Sequence, residues 1–372
     1  MKKYFILAVA ALVAFSACAK IEDVDSAPAK KITFQAASYV PQTKANVPVW
    51  DEFTSFKCKA FLYAAGYTSE TQNMFGIDGE TIKPWKSDGT AATGEDEVSY
   101  WAPQHDYYWP KDASSYVNFV AWYDAKGTPT TATETSLVWT IDGSSRSLQT
   151  DDNILFADEA WRYKSNPTGN TPQYTGDAVT SGVPMIFHHA LAQLCIKANV
   201  TKASEGNTSW DVTLSEIKLE GVFNTGTLTL ENSAPSGTDP APKAWTGGWA
   251  TSGSASTINL AAITTALPAV TANNDKVVMT MQNIIPQTVT DDVVLSFNYN
   301  ISYKYNNTEY AHEKIAASIQ LNDTNKVSSA IGSWGMNQQI TYTITINPET
   351  TTIKIDPAMV EWEPQAGGST TL

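Results

Sequence analysis

The sequence predicts an all-β protein built from two mostly antiparallel β-sandwich domains. Segments in which apolar and polar residues alternate recur along the chain, and clusters of Gly, Pro, Asn and Asp separate them. Helical periodicity is nearly absent, so the βα alternation typical of a parallel sheet does not occur. The chain has 372 residues. Each half, about 170 residues after the leader, is long enough to bury a core of its own.

The N-terminus predicts a lipoprotein signal peptide at residues 1–17. Lys2 and Lys3 give a positive start, and the apolar run that follows is too short to span a bilayer. Cleavage is expected between the small residue Ala17 and Cys18, and the Cys18 thiol is the expected site of lipidation. Two or more acyl chains hold a protein on a membrane where one does not. The alternative is plain cleavage beside an incidental cysteine.

The N-terminal domain is expected at residues 31–200, after a flexible tether at residues 18–30. Its first strand is predicted from an alternating segment with Ile32, Phe34 and Ala36 on the apolar face. This strand and a linker broken by prolines together form residues 31–45, in which Lys44 is exposed before Ala45. Further strands are expected at residues 53–64, 116–123, 137–141, 152–157 and 183–200, and loops at residues 70–97 and 164–181.

The C-terminal domain is expected at residues 201–372. Its cleanest alternation spans residues 293–305, and at roughly 3.3 Å per residue this strand exceeds about 30 Å, which is long for a globular sheet. Asn306 and Asn307 are expected to turn the chain back. A hairpin is predicted at residues 224–226 from an Asn-Thr-Gly signal. Other strands are expected at residues 212–223, 227–230, 276–285, 310–321, 339–346 and 352–362.

The mature chain is strongly acidic. The full sequence has 24 basic and 38 acidic residues, and removing Lys2 and Lys3 leaves 22 basic residues and a net charge of −16. That excess argues against nucleic acid and against electrostatic binding to an anionic membrane. Arg146 and Arg162 are the only arginines, so no guanidinium cluster is available to bind phosphates. The composition favours an extracytoplasmic body attached to a lipid.

The two cysteines of the mature body are expected to stay free. Strand phasing places Cys58 on the same face as Phe56 and therefore toward a core. The same phasing places Cys195 beside Gln193 and Lys197, on the opposite side of its strand from the apolar residues. A disulfide would need a bulge that shifts one of the two phases. Zinc-type Cys and His spacing is absent.

The sequence gives no catalytic or metal-binding signature, so we predict no enzyme activity, no cofactor and no metal. His105 and Asp106, like His188 and His189, are neighbours in extended segments, and neighbouring strand residues point to opposite faces. Satisfied or outward histidines are therefore the better interpretation. The acidic pairs at residues 151–152 and 291–292 are expected at solvated turns.

The tryptophans divide into two groups. Trp101, Trp109 and Trp122 lie in or beside predicted strands and are expected in a core, whereas Trp161, Trp245 and Trp249 fall at loops or strand edges. The second group supplies candidate stacking surfaces for a glycan. This supports an alternative function, a surface glycan-binding outer-membrane lipoprotein that stays monomeric.

An ordered set of motifs covers most of the mature chain. They are the lipobox ending in Cys18, Ile32-Thr33-Phe34 with Thr43-Lys44-Ala45, Tyr108-Trp109-Pro110 with residues 117–123, and residues 152–157, 183–192, 217–222 and a last strand ending in Trp362. Each motif alone is merely strand-like, but in this order and spacing they resemble the fimbrillin-like (Mfa-like) subunits of type V pili from Gram-negative anaerobes of gut and mouth.

The resemblance implies two sandwiches of transthyretin-like topology and a palmitate-bearing lipoprotein exported through the periplasm to the outer membrane surface. It also implies assembly with other pilus subunits by donor-strand exchange, for adhesion to a host or bacterial surface ligand such as a glycan. A trypsin-like protease would cut beyond the first strand, for which Lys44–Ala45 is the best candidate. The linker has no arginine, which departs from the family pattern and leaves a stalk, tip or anchor role open.

Overall fold

The computed structural model describes residues 31–38, 47–48, 53–63, 72–110, 115–146, 148, 152–164, 182–233, 243–270, 275–306 and 308–361. Strands dominate these residues, and the helical structure among them is of the 3-10 type, including a turn at Glu95–Glu97. Nowhere in those ranges does a helix reach the length and apolarity of a membrane span. The prediction of an all-β, mostly antiparallel protein is confirmed.

The strands are numbered in chain order. Those up to residue 200 are β1 (Phe34–Ser38), β2 (Val47–Pro48), β3 (Phe56–Tyr63), β4 (Gln72–Asn73), β5 (Glu80–Trp85), β6 (Tyr100–Pro103), β7 (Tyr116–Asp124), β8 (Thr131–Ala132), β9 (Ser136–Ile141), β10 (Ile154–Ala157), β11 (Glu159–Lys164), β12 (Val183–His189) and β13 (Ala192–Val200). Those beyond it are β14 (Ser204–Glu205), β15 (Thr208–Val222), β16 (Gly226–Glu231), β17 (Lys243–Ala244), β18 (Thr246–Thr251), β19 (Ser256–Asn259), β20 (Lys276–Ile284), β21 (Gln287–Thr288), β22 (Val294–Tyr305), β23 (Thr308–Gln320), β24 (Ser333–Trp334), β25 (Gln338–Asn347) and β26 (Thr352–Glu361).

Strands β7, β10, β12, β1, β6, β5 and β3 pair in that order and return to β7, forming a closed circuit that we call the ring. Pairing around the ring is antiparallel except between β1 and β12, which are parallel. Alternate side chains of these strands meet in one hydrophobic cluster, which runs from Ile32 and Phe34 to Phe187. The ring therefore encloses a core to which the first strand contributes.

The second half forms what we call the sandwich. Its sheets have the orders β20-β13-β25-β26 and β14-β15-β22-β23, and their apolar faces share one hydrophobic cluster. Strand β22 shows the predicted alternation over nearly its whole predicted length, and it pairs with β15 on one side and β23 on the other. The chain turns back at Asn306, whose φ of 50° is a conformation that Asn tolerates.

The hairpin predicted at residues 224–226 is wrong. Strand β15 pairs with β22 and β19, whereas β16 lies between β9 and β18 in a separate sheet. Leu228 and Leu230 bury their side chains in a third cluster together with Trp139. The Gln287 side-chain oxygen accepts from the Phe223 N–H at 3.0 Å, and its N–H donates to the Phe223 carbonyl oxygen at 3.3 Å. The backbone polar groups of Phe223 are therefore paired where the chain leaves β15.

The boundary near residue 200 and the transthyretin-like topology stay predictions. The hydrophobic clusters group strands from both sides of that boundary. Strand β13 precedes it but contributes to the core of the sandwich. Strand β16 follows it but packs in the third cluster with residues of the ring strands β7 and β10.

Most strands that alternation predicts are present, with two differences. The run at 183–200 is two strands, β12 and β13, because the chain bends at residues 190–191 and each strand joins a different sheet. The expected loop at 70–97 contains β5, which pairs with β3 and β6. Pro84 obscured this strand, since proline usually argues against a strand inside a sheet.

Candidate functional site

The residues before and within β1, numbered 31–38, form what we call the first-strand segment. Strand β1 runs parallel to β12 over five residue pairs, from Phe34 opposite Val183 to Ser38 opposite Phe187. On its other side, it pairs with β6 through Phe34 and Trp101 alone, and with β2 through two residues. Strand β12 is thus the neighbour with the longest continuous pairing to β1.

The apolar positions of the first-strand segment reach the core of the ring. Ile32 and Phe34 are buried and Ala36 is partly buried. The Phe34 ring makes edge contacts with Phe119 at a centroid distance of 5.3 Å and with Phe56 at 6.1 Å. Burying one such side chain contributes about 1.5–3 kcal/mol, and aromatic edge contacts add about 0.5–1.5 kcal/mol each. The segment therefore completes the core of the ring.

Gly182 allows β1 to approach β12 closely. Its φ is 90°, in the region that favours glycine, and a Cβ there would lie 2.9 Å from the Phe34 carbonyl carbon. The Val183 N–H donates to the Thr33 carbonyl oxygen at 2.8 Å, which begins the parallel pairing directly after this glycine. A larger residue at 182 would push the first-strand segment away.

The start of the first-strand segment is bonded to the loop after β6. The Lys31 ammonium lies 2.7 Å from the Asp106 carboxylate, and the Ile32 N–H donates to the Tyr107 carbonyl oxygen at 2.8 Å. Lys31 also forms an isolated β-bridge with Tyr108. The ion pair is solvent-exposed, so it contributes little energy by itself. It positions the segment at the end opposite the linker.

The other predicted processing residues lie outside the described part of the chain. Ala17, Cys18, Lys44 and Ala45 are among them, so lipidation and cleavage stay predictions.

His105, His188 and His189 each lie beside an acidic or amide side chain. His105 lies 3.5 Å from Glu80, not beside Asp106, which binds Lys31. His188 and Asp158 are paired at 3.0 Å. The two rings of the 188–189 pair separate as strand geometry requires, and His189 Nδ1 lies 2.9 Å from the Asn153 side-chain oxygen.

Burial sets the protonation of His189. Loss of solvent, and secondarily the adjacent His188, lowers the pKa of His189 to about 3. Its imidazole is therefore neutral near pH 7 and acts as a hydrogen-bonding group at the end of β12. It supports the strand on which the first-strand segment lies.

The expectation that Asp152 occupies a solvated turn is wrong, whereas Asp291 and Asp292 are exposed as predicted. The Arg146 guanidinium bonds the carboxylates of both Asp124 and Asp152, whose side chains are almost completely buried. Burial alone would lower the pKa of Arg146, but these two carboxylates outweigh it and raise the pKa. Sequence reasoning missed this cluster, since the residues lie up to 28 positions apart.

The Arg146 cluster joins the ring to the sandwich. Asp124 ends β7 and Asp152 precedes β10, both strands of the ring. Asn283 of β20, a strand of the sandwich, donates its side-chain N–H to the Asp152 carbonyl oxygen at 2.9 Å. Arg146 therefore has a structural role at this junction.

The prediction for the tryptophans is confirmed only in part. Trp101, Trp109 and Trp122 are buried, which confirms the core assignment. The proposed stacking surfaces Trp161, Trp245 and Trp249 are partly buried and pack against hydrophobic clusters. The Trp249 indole also donates to the Ala190 carbonyl oxygen at 2.6 Å. These three residues present little free ring surface to a glycan.

Cys58 and Cys195 are free and buried. Cys58 points into the ring, and burial raises the pKa of its thiol well above the ordinary value. Cys195 lies on the other face of β13 from Leu194 and Ile196, as predicted, but neighbouring residues bury it as well. Burial also raises the pKa of the Cys195 thiol. Within the described ranges, no group of three or more His, Cys, Asp or Glu side chains could hold a metal ion.

The fold and this site define a structural class of protein, an all-β chain whose N-terminal segment completes a core. A family model for fimbrillin-like proteins matches residues 43–362, and the chain belongs to the fimbrillin-like family. Membership in this family supports a role in a pilus or in adhesion at the cell surface, and it points to a structural protein, not an enzyme.

Solved structures show related folds at low sequence identity. A fimbrial protein from Bacteroides vulgatus has a TM-score of 0.51 and 15% identity, covering 89% of this chain and 99% of its own. A proposed cell adhesion protein from Bacteroides uniformis has a TM-score of 0.44 and 16% identity, covering 90% of this chain and 99% of its own. No curated protein matches the chain significantly. The likeness to the Bacteroides vulgatus protein supports the fold alone.

Proposed function

We propose that this protein is a structural subunit of a type V pilus that serves cell adhesion and assembles by donor-strand exchange. Family membership supports the pilus or adhesion role. The observation that carries the exchange mechanism is the first-strand segment. Its side chains complete the core of the ring, yet a single residue pair joins it to β6. A segment placed in this way can be replaced by an equivalent strand from another subunit.

Departure of the segment would leave two kinds of unsatisfied surface. The backbone groups of β12 opposite β1 would lose their partners, and the space occupied by Ile32 and Phe34 would open to water. An exposed sheet edge of this kind promotes association with other strands. The uncut segment thus acts as a plug. A donor strand must run parallel to β12 and place large apolar side chains at the two buried positions.

Export and processing decide which pilus role the subunit has. We propose that cleavage before Cys18 leaves a lipid-modified cysteine that carries the protein to the outer membrane. A second cut between Lys44 and Ala45 would release lipid, tether and first-strand segment together and produce a stalk subunit. A chain that is not cut there would stay anchored, as a basal subunit does.

Intact-mass analysis of protein sheared from the cell surface tests this proposal. Polymers that begin at Ala45 support a stalk subunit, and polymers that contain a lipidated Cys18 support an anchor subunit. A lipidated monomer that is never incorporated into polymers and that binds a glycan array would overturn the proposal. That result would favour the alternative, a monomeric surface lipoprotein that binds glycans.

A competing peptide tests strand exchange directly. A synthetic peptide with the sequence of residues 31–38 should enter the open groove and slow polymer growth. The matched control carries Phe34→Asp, which places a charge at the most buried position and should be inactive. Equal activity of the two peptides, or incorporation of neither, would contradict the proposed groove.

A further inference from the structure

An open cleft of about 220 Å³ lies on the outside of the ring, where β1 and β6 separate. The two strands are paired only at Phe34 and Trp101. The next positions along them, Thr33 and Ala102, both line the cleft instead of bonding to each other. The cleft is therefore a consequence of the short pairing that makes the first-strand segment exchangeable.

Aromatic rings form one wall of the cleft. Trp85 and Tyr100 are direct cross-strand partners on the outer face of β5 and β6, and both are partly exposed. The Trp85 indole N–H donates to the Ala102 carbonyl oxygen at 3.0 Å, which fixes the orientation of the ring. Tyr107 adds a third partly exposed ring. Such rings present apolar faces with polar edges to a ligand.

Polar side chains of the cleft are paired, either with each other or with Glu80 beside the cleft. Lys31 binds Asp106 at 2.7 Å, and His105 lies 3.5 Å from Glu80. The Tyr107 hydroxyl donates to the Glu80 carboxylate at 2.7 Å. The site therefore offers oriented donors and acceptors, and its lysine and its aspartate, Lys31 and Asp106, pair with each other. This arrangement suits a neutral, hydroxyl-rich ligand better than an anionic or cationic one.

The volume of the cleft limits the size of the ligand that it can bind. Pockets for drug-sized ligands are usually about 300–1,000 Å³, so a volume of about 220 Å³ fits a single small ring. A pyranose ring has an apolar C–H face that can stack on an aromatic ring and a rim of hydroxyl groups that can bond to charged side chains.

We propose that this cleft binds one neutral pyranose unit of a glycan, and that it does so only while the first-strand segment is in place. Lys31, Ile32 and Thr33 form one side of the cleft and would leave with the segment. The second part of this inference rests on the proposed strand exchange, whereas the first part does not.

Thermodynamic linkage makes the coupling reciprocal. A ligand that binds only the form with the segment in place favours that form by the factor one plus the ratio of free ligand to Kd. Sugar at about nine times its Kd would therefore reduce the equilibrium fraction of segment-free protein roughly tenfold. A glycan bound at this site would delay exchange of the strand.

Binding is tested on the mature, uncut chain by saturation-transfer NMR and titration. The probes are the methyl glycosides of glucose, galactose, mannose and N-acetylglucosamine, with sialic acid as the anionic comparison. At least one neutral probe should bind and sialic acid should not. Trp85→Ala should weaken binding about two- to tenfold, the value of one aromatic contact. Tyr310→Ala, which removes an exposed ring far along the chain, is the matched control and should bind as the wild type does.

A second variant separates a loss of sugar binding from a loss of folding. The His105 side chain is 76% exposed, so His105→Ala should fold normally and still weaken binding. Binding of no neutral probe, or equal binding by wild type, Trp85→Ala and His105→Ala, would overturn the site.

The coupling is tested by cutting the linker with trypsin and following release of the N-terminal fragment by native mass spectrometry. A saturating amount of the bound sugar should lower the released fraction by the factor given above. An unchanged released fraction, or equal sugar binding by protein that has lost the fragment, would overturn the coupling. A chain that polymerises but binds no sugar rejects the site and leaves the proposed function standing. A chain that binds sugar but never exchanges its strand rejects the proposed function and leaves the site standing.

Discussion

Strand β1 of the ring and strand β22 of the sandwich are both alternating strands with buried aromatic side chains, yet their neighbours hold them very differently. Strand β22 pairs along its whole length with β15 and β23, which are themselves long. Strand β1 pairs over its length with β12, whereas its other edge pairs with β6 at one position and with β2 at two. Apolar burial is similar for Phe34 and Phe297, so the difference lies in the backbone.

This contrast separates two sources of stability. Side-chain burial holds a strand in its core, but the backbone pairs decide how much of a sheet must open when the strand leaves. In the sandwich, removing β22 would disrupt two long ladders. In the ring, removing β1 disrupts a parallel ladder of five pairs with β12 and the few antiparallel pairs with β6 and β2, while pairs such as β5 with β6 and β10 with β12 stay in place. This difference supports the proposal that strand exchange takes place in the ring.

The largest expected effect comes from truncating the buried side chain in each region. Phe34→Ala and Phe297→Ala should each cost about 3–5 kcal/mol locally, since both remove a buried aromatic ring. Hydrogen exchange should show that Phe34→Ala exposes residues 183–187 opposite β1 while β22 stays protected, and that Phe297→Ala lowers protection throughout the sandwich. Gln35→Ala, at an exposed position of β1, is the neutral control. Unchanged hydrogen-exchange protection of residues 183–187 in Phe34→Ala would contradict the proposed difference between β1 and β22.

Arg146→Met tests the junction between the two regions. It removes the guanidinium that pairs with both buried carboxylates, Asp124 and Asp152, so the free energy of unfolding should fall by about 3–5 kcal/mol in urea titrations. Lys304→Met breaks the exposed pair with Asp211 in the sandwich and should cost about 0–1 kcal/mol. Similar losses in the two variants would show that the Arg146 cluster has no special role at the junction.

Acid should destabilise the ring through His189. The pKa of His189 is about 3 in the folded protein, below the ordinary value of about 6.5 in the unfolded chain, so the unfolded state binds more protons between these values. Stability is therefore undiminished above about pH 6.5 and falls by about 1.4 kcal/mol per unit as the pH decreases below it.

His189→Gln should flatten this pH dependence in urea unfolding, because glutamine does not titrate. His105→Gln is the matched control, since the His105 side chain is 76% exposed, and it should keep the wild-type slope. If His189→Gln kept the wild-type dependence of unfolding free energy on pH, the imidazole of His189 would not be buried and neutral at the end of β12.

The smallest effect is expected from the close approach of β1 to β12. Gly182→Ala adds a Cβ at a φ of 90° and 2.9 Å from the Phe34 backbone, so it should cost about 1–3 kcal/mol and increase cleavage in the linker. Gly248→Ala, in β18, has open space around the new Cβ and should not destabilise the protein. Thermal unfolding and limited proteolysis check both variants. Equal behaviour of the two alanine variants would show that the spacing between β1 and β12 tolerates a side chain.

Much of the fold was predictable from local pattern. Alternation located the long strands, including β22 and β25, and placed Ile32 and Phe34 on the inner face of the first-strand segment. The same pattern failed where a local signal conflicted with a distant partner. Pro84 obscured β5, although this proline faces the ring and β5 pairs on both sides. The Asn-Thr-Gly signal at 224–226 indicated a hairpin, but the chain there passes between two sheets.

The candidate sites, too, combine features set by the local sequence with features set by tertiary contacts. The sequence by itself determined which side chains of residues 31–37 are apolar and that the chain resembles a pilus subunit, because both depend on residues close together in the chain. Only the tertiary structure decided that β1 lies parallel to β12, that it meets β6 at one residue, and that Arg146 joins Asp124 and Asp152. Strand alternation has a period of two whatever the partner is, so it specifies faces but not neighbours. Neighbours are chosen by packing among residues far apart in the chain, and that choice gives β1 one continuously paired edge and one edge divided between β6 and β2.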